Sequence, residues 1–464
     1  MTDWRPDLQG SDAPRYIAIA DSIAADLSNG RLSPGDRLPA QRQLARALGL
    51  DFTTVARGYA EARRRGLLSS QVGSGTFVTD PNGIQTAKGS PHGSLRVCPP
   101  DFSMNLPPEP QDRTLVDRMR SGYSALSGDL MELLRYQNPE NWEQDQLAAA
   151  RWLEGVGLSP VPSQILFASG AQAALSTILA AITEPGDQVA CEDVTYPGIR
   201  SLAAQLGLEL VGLETDEAGV LPDSLQSVAA SGRLKALYLN PTLQNPTTKT
   251  IPYARRKELA ALAEKAGVPI LEDDAYGQLC RKAPLPFAAV APATTWYIGS
   301  LSKCLGSGLR LAYVLAPNPG ARWQFTRASR TTQVMPSPVM TALATRWIED
   351  GTALQLLDHI RSESAARQKL AATHLHGQDY LSDPEGFHLW LKLSNGWTRP
   401  ALVSQLRNLP IGVTESDAFT VSGVPPERVR VGLGGPADRK QLGNALETLS
   451  QTLNASPAQA SVYF

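Results

Sequence analysis

The sequence predicts an α/β protein made of two unlike parts: a small N-terminal part of helices with a two-stranded wing, and a large part with a mainly parallel sheet. A stretch rich in Gly, Pro and Ser, residues 80–100, lacks apolar periodicity and is typical of a linker. Before it, apolar residues recur at helical spacing. After it, strand-like and helix-like stretches alternate, which is typical of a sheet covered by helices.

The composition narrows the class of protein. With 464 residues, 42% of them hydrophobic and 19% charged, the chain is long enough for two or three domains with a large core. Its four cysteines have no paired spacing, so we expect reduced thiols, no disulfide framework and no metal site. The first residues lack a signal-peptide pattern, and no apolar run approaches the roughly 20 residues of a membrane span. We therefore expect a soluble, cytoplasmic protein with no membrane partner.

The small part is basic in a chain whose net charge is −2. Residues 15–75 contain nine arginines against five acids, and no lysine precedes Lys88. The planar fork of arginine suits phosphates and guanine edges. The use of arginine, without lysine, therefore favours nucleic acid as a partner of this part.

Three helices and a wing are predicted in this part. Apolar residues from Tyr16 to Leu27 predict a first helix ending near Asn29-Gly30, and "AQRQLARALG" and "FTTVARGYAEARRRG" predict a second and a third. The turn "GLDF" joins the last two, and "LLSSQVGSGTFV" predicts two strands with a Gly-Ser-Gly tip. In a helix–turn–helix the second of the two helices, here the third predicted helix, enters the major groove of DNA. A three-helix interaction module with a solvated arginine face is the alternative.

The stretch "LSPGDRLPAQRQLARALGLDFTTVARGYAEARRRGLLSSQVGSGTFV" resembles the winged-helix domain of the GntR family of bacterial regulators, over nearly all of residues 14–79. The resemblance implies binding of double-stranded operator DNA. It assigns backbone or base contacts to Arg37 and Arg42, recognition-helix positions to Thr53, Thr54 and Arg57, and the wing tip to Gly75. Asp51-Phe52 stands where the family usually has Ser-Arg, and an aspartate there is a good helix N-cap.

In the large part, polar residues follow the predicted strands, where ligands of such sheets bind. "QILFASG" leads into a helix, so the backbone N–H groups of Gly170, Ala171 and Gln172 would receive a phosphate. A glycine turn without a ligand is equally typical there. Tyr196, in "CEDVTYPG", is either a stacking ring or a core tyrosine.

Three further strand ends carry candidates. Asn245, in "NPTLQNPT", offers an amide donor or is turn chemistry alone. Asp273 and Tyr276 lie in "ILEDDAYG". The Asp273 carboxylate either holds a protonated ring nitrogen or is only a helix N-cap. Lys303, in "SLSKCLGSGLRLAY", is either a snorkelling surface lysine or, with its neighbouring hydroxyls and an arginine, part of a phosphorylated-cofactor site.

In this order, these motifs resemble the fold type I, aspartate-aminotransferase-like family of pyridoxal 5′-phosphate (PLP) proteins, over most of residues 101–450. By that resemblance Lys303 forms the Schiff base with PLP. The resemblance assigns the phosphate to Ser300, Ser302 and Arg310, the ring nitrogen to Asp273, the ring hydroxyl to Asn245 and Tyr276, and the ring face to Tyr196. It implies that Arg430 binds a substrate carboxylate and that Tyr136 reaches a phosphate across a dimer interface. The usual glycines near Tyr136 are replaced by Gln137, Asn138 and Asn141.

A GntR-like winged helix fused to such a domain resembles the MocR subfamily of regulators. The resemblance implies a homodimer that binds operator DNA and senses PLP, an amino-acid-type effector, or both through Lys303. We expect the DNA-binding domain at 14–79, the linker at 80–100, the PLP domain at 101–454 and a patternless tail at 455–464. The alternative is an active aminotransferase that transfers an amino group between an amino acid and a 2-oxo acid, with an accessory DNA-binding domain.

Overall fold

The structure is a computed structural model that describes residues 4–8, 13–33, 35–65, 67–71, 75–79, 103–137, 142–407 and 409–460. It divides into two compact units, residues 1–99 and 100–464. The expected linker, together with Cys98, Asn138 and Asn141, lies outside the described residues. Cys191, Cys280 and Cys304 are free thiols. None of the described helices is long and apolar enough to span a membrane.

The described part of the first unit contains helices and one hairpin. Its elements are α1 (Arg15–Ser28), α2 (Gln41–Leu48), α3 (Phe52–Arg64), β1 (Leu68–Gln71) and β2 (Gly75–Val78). Helix α2 ends at Gly49, whose φ of 65° is left-handed and suits glycine. Helix α1 packs against α3 around Ile19 and Tyr59, and the Tyr59 hydroxyl donates to the Pro39 carbonyl at 2.9 Å. The predicted helix–turn–helix with its wing is thus formed.

The second unit is larger and alternates strands with helices. Its strands are β3 (Leu166–Ala168), β4 (Gln188–Glu192), β5 (Glu209–Leu213), β6 (Thr215–Asp216), β7 (Gly219–Val220), β8 (Leu234–Leu239), β9 (Ile270–Asp274), β10 (Thr295–Ser300), β11 (Ala312–Leu315), β12 (Tyr380–Ser382), β13 (His388–Lys392), β14 (Gly412–Glu415) and β15 (Arg428–Gly432). Its helices are α4 (Arg113–Ala125), α5 (Leu130–Leu133), α6 (Glu143–Glu154), α7 (Ala171–Ile182), α8 (Pro197–Leu206), α9 (Pro222–Ala229), α10 (Tyr253–Ala266), α11 (Phe287–Val290), α12 (Pro319–Thr332), α13 (Pro338–Glu349), α14 (Thr352–His374), α15 (Arg399–Gln405), α16 (Arg439–Asn454) and α17 (Pro457–Ala460).

The central sheet has seven strands in the order β3-β11-β10-β9-β8-β4-β5. The pairs from β10 to β5 are parallel, and β11 runs antiparallel to both β10 and β3. Alternate residues of each strand face opposite helical layers. On β10, Trp296 and Ile298 share a core with α7, α8 and α12, whereas Tyr297 faces the core containing α6, α13 and α14. The sheet is mainly parallel, as the sequence predicts.

A four-stranded antiparallel sheet, in the order β12-β13-β15-β14, forms a second layer with α14, α15 and α16. It supplies the site with residues from β13 and β15, which pair directly.

The end of the chain differs from the patternless tail that we expected, because α17 forms one helical turn there. The Ser456 amide donates to Gln459 Oε1 at 2.9 Å, and Pro457 occupies the first helical position. Ser-x-x-Gln is a capping-box pattern, and proline at that position is pre-organised for a helix. The signal was therefore present in the sequence.

Candidate functional site

The candidate cofactor site lies at the carboxyl ends of the parallel strands. Asp273 is the fourth residue of β9 and pairs with Ile298 of β10, and Ser300 ends β10 three residues before Lys303. Because all these strands end at one edge of the sheet, the polar residues that follow them converge there.

Asp273 is a buried carboxylate with one unused oxygen. Its Oδ2 accepts from the Tyr238 hydroxyl at 2.9 Å, while Oδ1 has no hydrogen-bond partner among the described residues. Burial raises the pKa of Asp273 to about 6. A buried acceptor without a partner is costly, so this oxygen fits the N–H of a cationic heterocycle.

Lys303 is a half-buried amine that faces several charges. Its Nζ donates to the backbone carbonyl of Asn105. Burial is the largest of the effects that together lower the pKa of Lys303 to about 7; the Arg430 and Arg310 charges act in the same direction, and the Asp273 carboxylate opposes them. A large fraction of the amine is consequently neutral and nucleophilic near pH 7.

Arg310 lies against the glycine turn that precedes α7. Gly170 has a φ of 93°, and a Cβ there would lie 3.1 Å from Arg310 Nη2. Ala171 opens α7, so the first amides of that helix and the Arg310 guanidinium lie side by side. An arginine beside free helix amides is suited to a phosphate.

The predicted serines lie at the end of β10, just before Lys303. Ser300 and Ser302 are both buried, and the Ser302 amide donates to Ser300 Oγ at 3.3 Å. They are hydroxyl donors within three residues of Lys303. Together with Arg310, they fit the phosphate role that the resemblance implies.

Tyr196 and Gln172 pack together above this turn. The Gln172 Nε2 donates to the Gly198 carbonyl at 3.0 Å, and a Cβ on Gly198 would collide with both side chains. Gln172 Oε1 is buried with no described partner. Burial raises the pKa of Tyr196, and the nearby Asp273 carboxylate adds to the shift. This tyrosine is half-buried beside the charged group, as a ring-covering residue would be.

Arg430, on β15, lies beside Asn245. Its Nη1 donates to Asn245 Oδ1 at 3.0 Å, and its Nη2 donates to the Ser103 carbonyl at 2.7 Å and to Thr414 Oγ1 at 3.3 Å. The guanidinium stacks on Phe419 at 5.1 Å, and its Nε has no described partner. A buried arginine held this way can receive a carboxylate in exchange for a backbone carbonyl.

Hydrogen bonds through Asn240 connect Asp273 with Asn245. Asn240 donates from Nδ2 to the Asp273 carbonyl at 2.7 Å and accepts at Oδ1 from the Asn245 amide at 2.8 Å. Its own amide donates to Glu192 Oε1 at 3.2 Å, and the Thr195 hydroxyl donates to Oε2 at 2.9 Å. Burial raises the pKa of Glu192 to about 7. Asn240 thus fixes two predicted ligands relative to each other.

Two buried residues that the sequence did not suggest complete the site. Asn105 Nδ2 donates to the Tyr276 hydroxyl and lies close to His388 Nδ1, each at 3.1 Å. His388 Nε2 lies 3.3 Å from the Gln244 carbonyl, so it carries the proton and Nδ1 accepts. Burial lowers the pKa of His388 to about 3, which keeps the ring neutral.

Tyr136 is not joined to this group by a described hydrogen bond. Its side chain is 86% exposed and lines a cavity of about 590 Å³ with Trp142, Phe167 and Gln333. Gln333 Oε1 accepts from the Ser169 amide at 2.7 Å, one residue before Gly170. The cavity therefore adjoins the turn at Gly170.

The first unit exposes most of the predicted DNA contacts. Asp51 caps α3 and accepts at Oδ1 from the Thr53 amide at 2.7 Å. Arg42 lies 5.8 Å from the Phe52 ring, and Arg57 lies 4.3 Å above the Tyr16 ring.

The remaining predicted contacts lie around this helix and the wing. Thr54 is half-buried on α3, exposed Arg37 forms a β-bridge with Phe77, and Gly75 opens β2 opposite Gln71. The wing tip, residues 72–74, lies outside the described residues.

Two known families match separate parts of the sequence. Residues 15–78 match the gntR family of bacterial regulatory proteins, and residues 101–449 match aminotransferase class I and II. The uncharacterized HTH-type transcriptional regulator YdeF of Bacillus subtilis is 30% identical over 97% of both chains. This chain belongs to the HTH-type regulators that carry a class I and II aminotransferase domain.

Two further relatives are regulators by name. The HTH-type regulator TauR of Rhodobacter capsulatus is 30% identical over 68% of this chain and 69% of its own. The probable rhizopine catabolism regulatory protein MocR of Rhizobium meliloti is 27% identical over 81% of this chain and 80% of its own. An archaeal alanine:glyoxylate aminotransferase shares the fold of the regulator's large domain, with a TM-score of 0.69 at 20% identity over 78% of this chain and 92% of that one.

Proposed function

We propose that this regulator binds PLP at the carboxyl edge of its central sheet and that the state of this site sets its affinity for operator DNA. The observation that carries the proposal is Lys303, an amine of lowered pKa that is bonded to the Asn105 carbonyl and lies within the electrostatic influence of the buried Asp273 carboxylate and of Arg310. The bound group would supply an aldehyde carbon open to amines and an electron-withdrawing ring. Lys303 would hold it covalently.

The remaining residues would bind and orient the cofactor. Asp273 Oδ1, which lacks a described partner, would accept from the ring nitrogen. The amides at Ala171 and Gln172, with Arg310 and the Ser300 and Ser302 hydroxyls, would hold the phosphate. The Gly170 amide, which the sequence also suggested for this role, donates instead to the Ala168 carbonyl at 2.7 Å, so Gly170 would contribute its left-handed turn. Asn245 and Tyr276 would bond the ring hydroxyl, and Tyr196 would cover the ring and exclude water.

The effector we propose is an amino compound with a carboxylate, such as an amino acid. Its carboxylate would bind Arg430, whose Nη2 now donates to the Ser103 carbonyl. A carboxylate is a stronger acceptor than a backbone carbonyl for a guanidinium.

The functional form we propose is a cytoplasmic homodimer. Tyr136 of each protomer would reach the partner's phosphate, which fits its 86% exposure. Two winged helices would then bind two half-sites of one operator. Within each, Arg37, Arg42, Thr53, Thr54, Arg57 and Gly75 would contact the duplex.

Fluorescence anisotropy with the full chain tests this proposal. The probe is the DNA upstream of its own gene, a scrambled duplex is the control, and PLP and amino acids are added in turn. We expect selective binding that shifts with PLP or with one amino acid, and Lys303→Ala should abolish the shift but keep binding. Equal, salt-sensitive binding to both duplexes would contradict the proposal.

A second candidate is aminotransferase activity. Lys303, Asp273 and Arg430 lie together, and the class I and II signature spans residues 101–449. Sustained formation of a 2-oxo acid from an amino acid would support an enzyme. At most one half-reaction per site would support a regulator.

A further inference from the structure

The segment that follows the expected linker in sequence crosses the candidate cofactor site. We call residues 103–107 the entry segment. Asn105 at its centre is only 3% exposed, and the Leu106 carbonyl oxygen lies so close to Gly434 that a Cβ there would overlap it. The backbone of the entry segment is therefore packed directly against Gly434, and the segment cannot shift toward it.

Both cations assigned to ligands are bonded to carbonyls of the entry segment. Arg430 Nη2 donates to the Ser103 carbonyl at 2.7 Å, and Lys303 Nζ donates to the Asn105 carbonyl. Thr414 Oγ1 also donates to the Ser103 carbonyl, at 3.3 Å.

Each expected ligand competes with one of these bonds. An amine bonded to a cofactor carbon has fewer N–H groups to donate than the free lysine, and its nitrogen is drawn toward the ring. A carboxylate at Arg430 replaces the Ser103 carbonyl, because charge-assisted bonds to guanidinium are the stronger ones. Cofactor and effector thus act on two residues of the same five-residue segment.

The side chain of Asn105 adds a second attachment of the segment to the site. Its Nδ2 donates to the Tyr276 hydroxyl and faces His388 Nδ1, both at 3.1 Å. Its Oδ1 is buried without a described partner. Asn105 is therefore the positioning residue that joins the entry segment to a predicted cofactor ligand.

We propose that the entry segment is the element that reports site occupancy to the DNA-binding domain. Ligands weaken the hydrogen bonds that hold Ser103 and Asn105, and the freed entry segment changes the affinity of the chain for DNA. Coupling of this kind is reciprocal, so operator DNA alters ligand affinity by the same factor. The inference rests on the proposed function, since it needs PLP or its amino-acid adduct at Lys303.

Amide hydrogen exchange on the full chain tests it directly. Peptides covering residues 103–110 are followed without ligand, with PLP, and with PLP plus a panel of amino acids, while visible absorbance monitors bound cofactor. The lost bonds are accepted by carbonyls, so exchange reports them indirectly, through easier local opening of the segment that carries the Met104, Asn105 and Leu106 amides. We expect these amides to exchange about five-fold faster with ligand, the factor that corresponds to loss of one typical hydrogen bond anchoring the segment. Unchanged exchange in a chain that has bound PLP and shifted its DNA affinity would overturn the inference and leave the proposed function intact.

A variant pair then tests the link to DNA. Asn105→Ala removes both amide contacts, and Glu109→Ala, an exposed neighbour, is the matched control. The ratio of DNA affinities with and without ligand should fall to within about two-fold of unity for Asn105→Ala, from a coupling typically about 5- to 150-fold, and stay unchanged for Glu109→Ala. An unaltered ratio in an Asn105→Ala chain that binds PLP would refute the reporter role. Absence of PLP binding by the wild-type chain would overturn both proposals.

Discussion

Replacing Gly170 by alanine should selectively damage phosphate binding. The new Cβ would lie 3.1 Å from Arg310 Nη2 and 3.2 Å from Cζ, closer than ordinary contact, so the guanidinium must move. Gly186→Ala is the matched control, because its φ of 90° is equally unfavourable for alanine while no atom lies within 4 Å of its Cβ. Both variants should lose roughly 1–3 kcal/mol of stability to backbone strain.

Only Gly170→Ala should also lose a charge-assisted phosphate contact. Such a bond contributes about 1.5–3 kcal/mol, which corresponds to a loss of about 10- to 150-fold in PLP affinity. Titrating the full chain with PLP and with pyridoxal, which lacks the phosphate, separates this effect from general damage. We expect the PLP-to-pyridoxal affinity ratio to fall for Gly170→Ala alone. An unchanged ratio, or an equal fall in Gly186→Ala, would refute the reasoning.

Three further predictions concern pH and DNA. Because the pKa of Lys303 is about 7, the rate of PLP attachment should rise with pH and level off above about pH 8; stopped-flow absorbance showing a steady tenfold rise per unit to pH 9 would contradict this. Glu192, whose pKa is raised from 4.5 to about 7, makes the folded state lose stability as pH rises through that window; Glu192→Gln should therefore gain about 3 kcal/mol over wild type between pH 5 and 8 in thermal unfolding, and parallel curves would count against it. Tyr16→Ala should weaken operator binding about two- to five-fold by releasing Arg57, whereas Tyr16→Phe should not; an equal loss in both would assign the effect to the hydroxyl.

Much of the site follows from local sequence. Short apolar strands alternating with helices put their carboxyl ends at one edge, so Asp273 and Lys303 could be predicted as neighbours. The direction of β11 follows a similar rule, since it is joined to β10 by a short loop with no crossover helix and must run antiparallel. The sequence pattern also predicts α1, which ends at Ser28 with Asn29 as its cap.

Asn105 and His388 could not be predicted in this way. Asn105 lies in an irregular stretch, and its partners Tyr276 and His388 are 171 and 283 residues away in sequence. His388 starts an antiparallel strand whose side-chain neighbours come from another layer of the fold. Local periodicity carries no information about such distant pairings. Polar residues buried by tertiary packing alone become visible only in the structure.

The spread of the site from Asn105 to Arg430 has a consequence for synthesis of the chain. The winged helix is complete at about residue 79, whereas the site lacks Arg430 until about 350 residues later. At about 5–20 residues per second, that interval lasts roughly 20–70 s. Domains fold as units in order of synthesis, so each nascent chain displays a finished DNA-binding fold on the ribosome before it can respond to any ligand.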